Sequence, residues 1–264
     1  MTDTRSEPVF NKYYCNVVSK VFNLSEFMCQ NLKLTSAVQP TAMCYWHEFV
    51  AINGVRAVNS VVLICACVFL AGKVEHSKLK VDQIVETGLD VVRGDEKFEV
   101  WRNLILDTEL VLCNSLNFDF QRVHPLNDYL YMIAKPSEQP SHHLSAGEKT
   151  MVEKLQNSVK RIYVFSLLSP LYVNRPAARV LATIVHMVIT LSDLDDQYEH
   201  VLNKLDLPSQ EEREDIADTI VNTFVFIGKS TNVVGLDDLI RIRKHSSSLG
   251  NLKSGECTPP VDNS

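Results

Sequence analysis

Nine glycines and ten prolines in 264 residues are too few for a collagen-like or linker-dominated chain. Few Asn-Gly or Asp-Gly pairs occur, so the usual short-hairpin signals are scarce and an all-β architecture is disfavoured. None of the seven cysteines (Cys15, Cys29, Cys44, Cys65, Cys67, Cys113, Cys257) stands in a C-x-x-C pair. The number is odd and most lie in apolar text, which reads as reduced core thiols rather than a disulfide framework or zinc site. Basic excess is missing too: 26 Lys and Arg against 32 Asp and Glu give 26 − 32 = −6. Dedicated nucleic-acid binders need clustered cations facing phosphates, so that class is disfavoured. The longest apolar run, Val61 to Ala71, is eleven residues, where a membrane span needs about 20. Met1 to Pro8 lacks the charged-then-apolar order of a signal peptide. A soluble, intracellular chain without a membrane partner is expected.

Hydrophobic residues make up 45% of the chain and charged residues 22%, enough apolar surface to bury a core. Those residues recur mainly every three to four positions, so the fold class expected is all-α. Helical text runs from about Tyr13 to Leu32, Gln39 to Ile52, Arg56 to Val74, Val81 to Val91 and Phe98 to Leu116. The third of these is apolar all round and must be enclosed by the others. Pro125 starts a new helix. After a polar stretch from about Lys135 to Lys149, helical text resumes at Met151 to Leu168, Ala177 to Leu191, Tyr198 to Leu205 and Glu211 to Ile227. Two bundles of about five helices in similar order point to an internal duplication. The organisation expected is a tail (1–12), a first bundle (13–124), a second (125–228, with a polar insertion at 136–148) and a partly disordered tail (229–264).

Catalytic and metal motifs are not found. Gly228-Lys229-Ser230 looks like the end of a phosphate loop, but Thr223 stands where the loop needs its first glycine. His142 and His143 have no Cys or carboxylate at ligand spacing, and His186 on an apolar helix reads as a core histidine. Between Asp193 and Asp218 ten acids face two bases, which reads as a solvated acidic face. No G-x-S-x-G, H-E-x-x-H or kinase catalytic loop occurs. Catalytic residues, metal and cofactor are all expected to be none.

Two charged residues stand out. Glu109 falls on the apolar stripe Ile105, Leu112, Leu116, and carboxylates are seldom buried unpaired. Lys73 closes the buried third helix, where an ammonium suits the negative end of the helix dipole. They form either an ion pair at the rim of the core or the two ends of an apolar groove that holds a partner's helix.

Phe69-Leu-Ala-Gly-Lys-Val-Glu75, Tyr45-Trp-His-Glu-Phe49 and Asn117-Phe-Asp-Phe120 followed by His124-Pro125 together resemble the cyclin family. Within it the transcriptional K and T types are the most similar, K more so than T. The resemblance covers about residues 13–135 by motif and 150–228 by helical order alone. It implies tandem five-helix cyclin boxes. It also implies a nuclear, non-catalytic activating subunit that forms a heterodimer with a cyclin-dependent Ser/Thr kinase, phosphorylating the C-terminal domain of RNA polymerase II during elongation, with no direct contact to nucleic acid. Lys73 and Glu109 match the family pair that holds the backbone around the kinase's αC helix. Leu70, Cys113, Phe118 and Phe120 match positions lining the groove for it.

His76-Ser77 departs from the family's usual text after Val-Glu, and the second half lacks a clear signature. No R-x-x-L and no hydrophobic substrate-docking motif is found, which favours the transcriptional branch over a cell-cycle cyclin. A TFIIB-type general factor shares this fold but would need basic faces and a zinc ribbon. Residues 1–124 carry 12 bases and 14 acids and no ribbon. Arg241-Ile-Arg-Lys-His245 reads as a basic helix end that could double as a nuclear-import signal.

Overall fold

The computed structural model describes residues 12–92, 98–135 and 145–228. Ten α-helices and one 3-10 turn make up the regular structure of those residues, with no strand among them. The expected all-α class is what the described residues form, in two successive groups of five α-helices. The first five helices are α1 (Lys12–Asn31), α2 (Val38–Asn53), α3 (Ser60–Val74), α4 (Val81–Val92) and α5 (Phe98–Ser115). They are followed by α6 (Leu126–Ile133), α7 (Ala146–Ser166), a 3-10 turn (Pro170–Val173), α8 (Ala177–Leu191), α9 (Glu199–Leu202) and α10 (Gln210–Gly228).

α3 is the hub of the first five helices. Val62 through Gly72 are all buried, and α1, α2, α4 and α5 pack around it. The helix begins at Ser60 rather than Arg56, because the Asn59 side chain accepts a hydrogen bond from the Val61 amide at 2.9 Å and so caps it. α4 comes close because Gly88 carries no side chain: a Cβ there would lie 3.2 Å from Cys65 Sγ. α7 begins at Ala146, five residues before the expected start. Ser145 and Glu148 form a reciprocal capping box, with the Ser145 amide donating to Glu148 Oε2 at 2.7 Å. The polar insertion expected at 136–148 therefore ends by Glu148 in helix, and its part at 136–144 lies outside the described residues.

α2 joins the two groups of helices. It is buried from Val38 to Val50 apart from Gln39, and it packs against the 3-10 turn of the second group as well as against α1 and α3. Tyr45, His47 and Glu48 of Tyr45-Trp-His-Glu-Phe49 each reach a residue distant in sequence. Tyr45 donates through its hydroxyl to the Phe120 carbonyl at 2.6 Å. His47 lies between the Tyr14 hydroxyl, 2.5 Å from Nδ1, and the Leu167 carbonyl, 2.8 Å from Nε2. A carbonyl only accepts, so Nε2 carries the proton and Nδ1 accepts from Tyr14. Glu48 takes a forked pair of bonds from Arg122, at 2.9 Å to Nε and 2.8 Å to Nη2. His124, two residues on, meets the Tyr163 hydroxyl at 2.8 Å.

Burial holds both bridging histidines neutral. His47 is pushed down to about 4 by loss of solvent, partly opposed by its bond to Leu167. His124 is pushed down to about 4 by the same cause, reinforced by the Arg122 charge. An unfolded histidine titrates near 6.5. Below that pH the unfolded chain takes up protons that the folded chain refuses, so stability is full above 6.5 and falls as pH drops towards 4. Each histidine accounts for a loss of about 1.4 kcal/mol at pH 5.5 relative to pH 7.5. Urea unfolding at the two pH values is expected to show a drop of about 3 kcal/mol, and His47→Asn, though less stable at pH 7.5, is expected to show about half of it. A drop unchanged by the substitution would remove His47 from this role.

Candidate partner-docking site

The site grows out of the end of α3. Lys73 is in its last turn, where the exposed carbonyls favour an ammonium. Its Nζ lies 2.6 Å from Glu109 Oε1 of α5 and 4.0 Å above the centre of the Phe69 ring, one turn back on its own helix. The Lys73 side chain is 48% exposed and that of Glu109 11%. Of the two sequence alternatives the structure forms the first: the two residues are an ion pair at the rim of the core, with the ammonium half-exposed.

The α5 stripe behaves as its spacing predicts. Ile105, Leu112 and Leu116 are buried with Glu109 among them. One turn on from Glu109, Cys113 is half-buried. Its thiol is pushed up by burial and by the Glu109 charge, with Lys73 acting the opposite way. Leu70, one turn before Lys73, is buried and belongs to the floor. After α5 the chain turns sharply, with the Phe118 amide bonded to the Cys113 carbonyl at 3.0 Å. Asn117 (φ 50°) and Phe118 (φ 57°) are both in the left-handed region. Asn tolerates that region, whereas a Phe there costs about 1 kcal/mol or more. The strain displays an aromatic ring: Phe118 is 66% exposed, and its ring edge packs on half-buried Phe120, centroids 6.0 Å apart. Phe120 is in turn anchored edge-on to Tyr45 at 6.4 Å. Leu70, Lys73 and Glu109 are placed where α3 packs on α5, and Cys113, Phe118 and Phe120 continue from the end of α5 into the turn after it as a shelf of apolar side chains.

Sequence reasoning passed over three contributors. Phe69 is the platform under the Lys73 ammonium. Leu110, 65% exposed, continues the shelf along α5, and Leu106, Leu110 and Cys113 follow a 4, 3 spacing that was available to be read. Glu75 accepts from Thr41 Oγ1 at 2.7 Å and ties the end of α3 to α2; its partner is 34 residues away and left no local signal.

Elsewhere the chain offers less chemistry. His186 is not a core histidine: it is half-buried, with its Nε2 facing Arg213 Nη1 at 3.4 Å. The acidic run has partners in Arg175 with Asp215, Arg179 with Glu212 and Thr190 with Asp195. His142, His143, Lys229, Ser230 and the 241–245 stretch lie outside the described residues. Among the described residues, no group of His, Cys, Asp and Glu could hold a metal ion. No described helix is long and apolar enough to cross a membrane.

The shelf predicts unequal stability effects. Lys73→Ala leaves the Glu109 carboxylate without its partner at a mostly buried position and is expected to cost about 1–2 kcal/mol. Phe118→Gly removes an exposed ring and relieves a left-handed side chain, so it is expected to leave stability unchanged or raise it by about 1 kcal/mol. Denaturant unfolding checks both, and a Phe118→Gly variant destabilised by more than about 1 kcal/mol would show that the ring serves the core.

Residues 23–121 match the family model "Cyclin, N-terminal domain". The chain is 34% identical over 113 residues to cyclin pch1 of Schizosaccharomyces pombe, covering 39% of this chain and 33% of that one. It is 28% identical over 119 residues to Cyclin-K of Danio rerio, covering 44% and 26%. It therefore spans only a quarter to a third of the length of these relatives. By fold it is similar to a chain in the crystal structure of the yeast RNA Pol II CTD kinase CTDK-1 complex, with a TM-score of 0.67 at 17% identity over 95% of this chain and 79% of that chain. At that identity the likeness is one of fold. The helices around α3, the ion pair at its end and the matched residues 23–121 lead to one assignment: residues 23–121 are a cyclin N-terminal domain, similar in sequence to cyclins that include Cyclin-K and the T1 type.

Proposed function

We propose that this chain is the activating, non-catalytic subunit of a cyclin-dependent Ser/Thr kinase that acts in RNA polymerase II transcription, in the nucleus. The step it serves in this reading is phosphorylation of the polymerase C-terminal domain during elongation. The observation that carries the proposal is the Lys73–Glu109 pair, 2.6 Å apart at the edge of a shelf bearing the strained, exposed Phe118. The fold likeness to a chain of a CTD kinase complex and the cyclin relatives support the same reading.

The shelf binds the kinase's αC helix in this proposal. Leu70, Cys113, Phe118 and Phe120 exclude water from an apolar face of that helix and supply most of the affinity. Lys73 donates to backbone carbonyls and Glu109 accepts from backbone amides of the chain next to one end of that helix, so the pair fixes position without demanding particular side chains. Activation follows from differential binding: the cyclin binds the kinase conformation in which the kinase's own Lys and Glu are paired, and the population shifts towards it. The cyclin supplies no group to bond making.

The test has two parts. Purified alone, the chain is expected to transfer no phosphate to a peptide of the polymerase repeat; with the kinase subunit that co-purifies on an affinity-tagged full chain, identified by mass spectrometry, transfer appears. Lys73→Ala and Glu109→Ala are each expected to weaken that kinase's binding at least tenfold while the folded fraction stays above nine-tenths. Kinase binding unchanged in both variants, or phosphotransfer by the chain alone, would sink the proposal.

A further inference from the structure

We infer that one buried row on α2, Thr41, Tyr45 and Glu48, is a set of positioning residues for docking: it fixes where the Lys73 edge of the site stands relative to the Phe118 ring, without touching the partner. This rests on the reading above and adds the residues that hold the two edges of the site in register. The spacing of four and three puts the three side chains on one face of the helix. Thr41 and Tyr45 are 0% exposed and Glu48 4%, so no partner reaches them. Each is nevertheless polar, and each is bonded to a segment that carries part of the site. Thr41 donates from Oγ1 to Glu75 at 2.7 Å, and Glu75 follows Lys73 by two residues at the end of α3. Tyr45 donates to the carbonyl of Phe120, two residues after Phe118, at 2.6 Å. Glu48 takes the fork of Arg122, two residues further on.

These bonds matter because the segment after α5 has little else to hold it. The Phe118 and Asp119 amides are bonded back to the end of α5, but from Phe120 to His124 no backbone-to-backbone hydrogen bond occurs among the described residues. What holds Phe120 to Arg122 is side-chain contact, chiefly with α2. The hydroxyl and ring edge of Tyr45 meet Phe120, and the Arg122 guanidinium is forked onto Glu48 and lies 5.5 Å from the centre of the Tyr45 ring. Phe118 leans on Phe120 with centroids 6.0 Å apart and holds a left-handed φ of 57°. That conformation costs free energy and persists only in a frame that imposes it. Charges at both edges reach the Tyr45 hydroxyl: burial pushes its titration up, Arg122 opposes the change and Glu75 adds to it. An apolar row would serve the core at less cost, since a buried polar group must find its partner. Polar groups here specify one arrangement of two segments, far apart in the sequence, that a docked helix meets at once. A preformed site spares the partner the entropy of ordering it, and releasing either edge returns that cost as weaker binding.

The probe is the purified kinase subunit recovered with the tagged full chain, its affinity measured for single and paired substitutions. Thr41→Val and Tyr45→Phe each remove one hydroxyl group and little volume. Each is expected to bind the kinase about fivefold more weakly and to melt within about 4 °C of the unaltered chain. In phosphotransfer, the concentration of the chain that gives half the maximal rate rises by the same factor, and the maximal rate is unchanged. The pattern across backgrounds separates positioning from a general loosening of the fold. Tyr45→Phe is expected to cost less than about twofold once Phe118→Ala has removed the ring, and to keep its full effect beside Lys73→Ala; Thr41→Val is expected to show the reverse. If Tyr45→Phe melts early, Arg122→Lys, which keeps the charge and loses the fork, takes its place in the cycle. Unchanged affinity in both single variants, or equal losses in the two backgrounds, overturns the inference, and the shelf reading stands if Lys73→Ala and Phe118→Ala still weaken the kinase's binding. If those two bind as tightly as the unaltered chain, the shelf reading falls and this inference with it.

Discussion

A helix surrounded by others has only its ends to offer to solvent, and α3 is buried along its side from Val62 to Gly72. Its apolar text compels that enclosure, and enclosure dictates where function can be. The helix stops at Val74, where unsatisfied carbonyls favour a cation. Lys73 supplies the cation and leans on Phe69 to reach Glu109, 36 positions on. The residue that completes the core of the first five helices and the residue that edges the docking shelf are thus neighbours for one reason. The end of α3 is thereby fixed to an element that is close-packed on every side from Val62 to Gly72.

α2 performs the complementary task of joining two groups of helices into one body. Tyr45, His47 and Glu48 carry buried polar groups that would be costly if unpaired, and they meet partners that only the native arrangement supplies: Phe120, Leu167 and Arg122 respectively. The same contacts that join the halves also hold the segment bearing Phe118 and Phe120. Tyr45 takes the Phe120 carbonyl and ring edge, Arg122 lies 5.5 Å from the Tyr45 ring while forked onto Glu48, and His124 follows against Tyr163. The shelf and the seam are therefore two faces of one network, and loosening α2 would blur the geometry at both.

Legibility in the sequence followed range. The α5 stripe was readable because burial on one face of a straight helix imposes a regular period, and Glu109 stood out as its exception. The enclosure of α3 was readable from eleven apolar residues in a row. That Lys73 and Glu109 belong to one site came from resemblance to a family, since 36 residues of separation leave no local trace. The burial of His47 and Glu48 was illegible because their partners are 120 and 74 residues away. The 3-10 turn at Pro170–Val173 was missed for a related reason: a short apolar run with a proline takes its shape from the surface it packs on, here α2. The start of α7 is different, since Ser145-Ala-Gly-Glu148 is a capping signature written in the text and masked only by the polar residues before it.

The turn after α5 shows how local rules yield when a surface is needed. A helix that only has to stop commonly does so with glycine in the left-handed position, because no Cβ opposes it. Here Asn117 and Phe118 both occupy that region, and the second does so with a bulky ring facing water. No packing inside the chain compensates in full, since Phe118 is two-thirds exposed and touches mainly Phe120. The conformation persists because the segments on either side are over-determined: Phe118 and Asp119 are bonded back to Cys113 and Leu116, and Phe120 is fastened to Tyr45. Strain held in place by a rigid frame, with an apolar ring as its product, is a poor design for a free-standing domain. It becomes a good one when another chain covers the ring, because the partner then meets an aromatic anchor already in position and loses little entropy in ordering it.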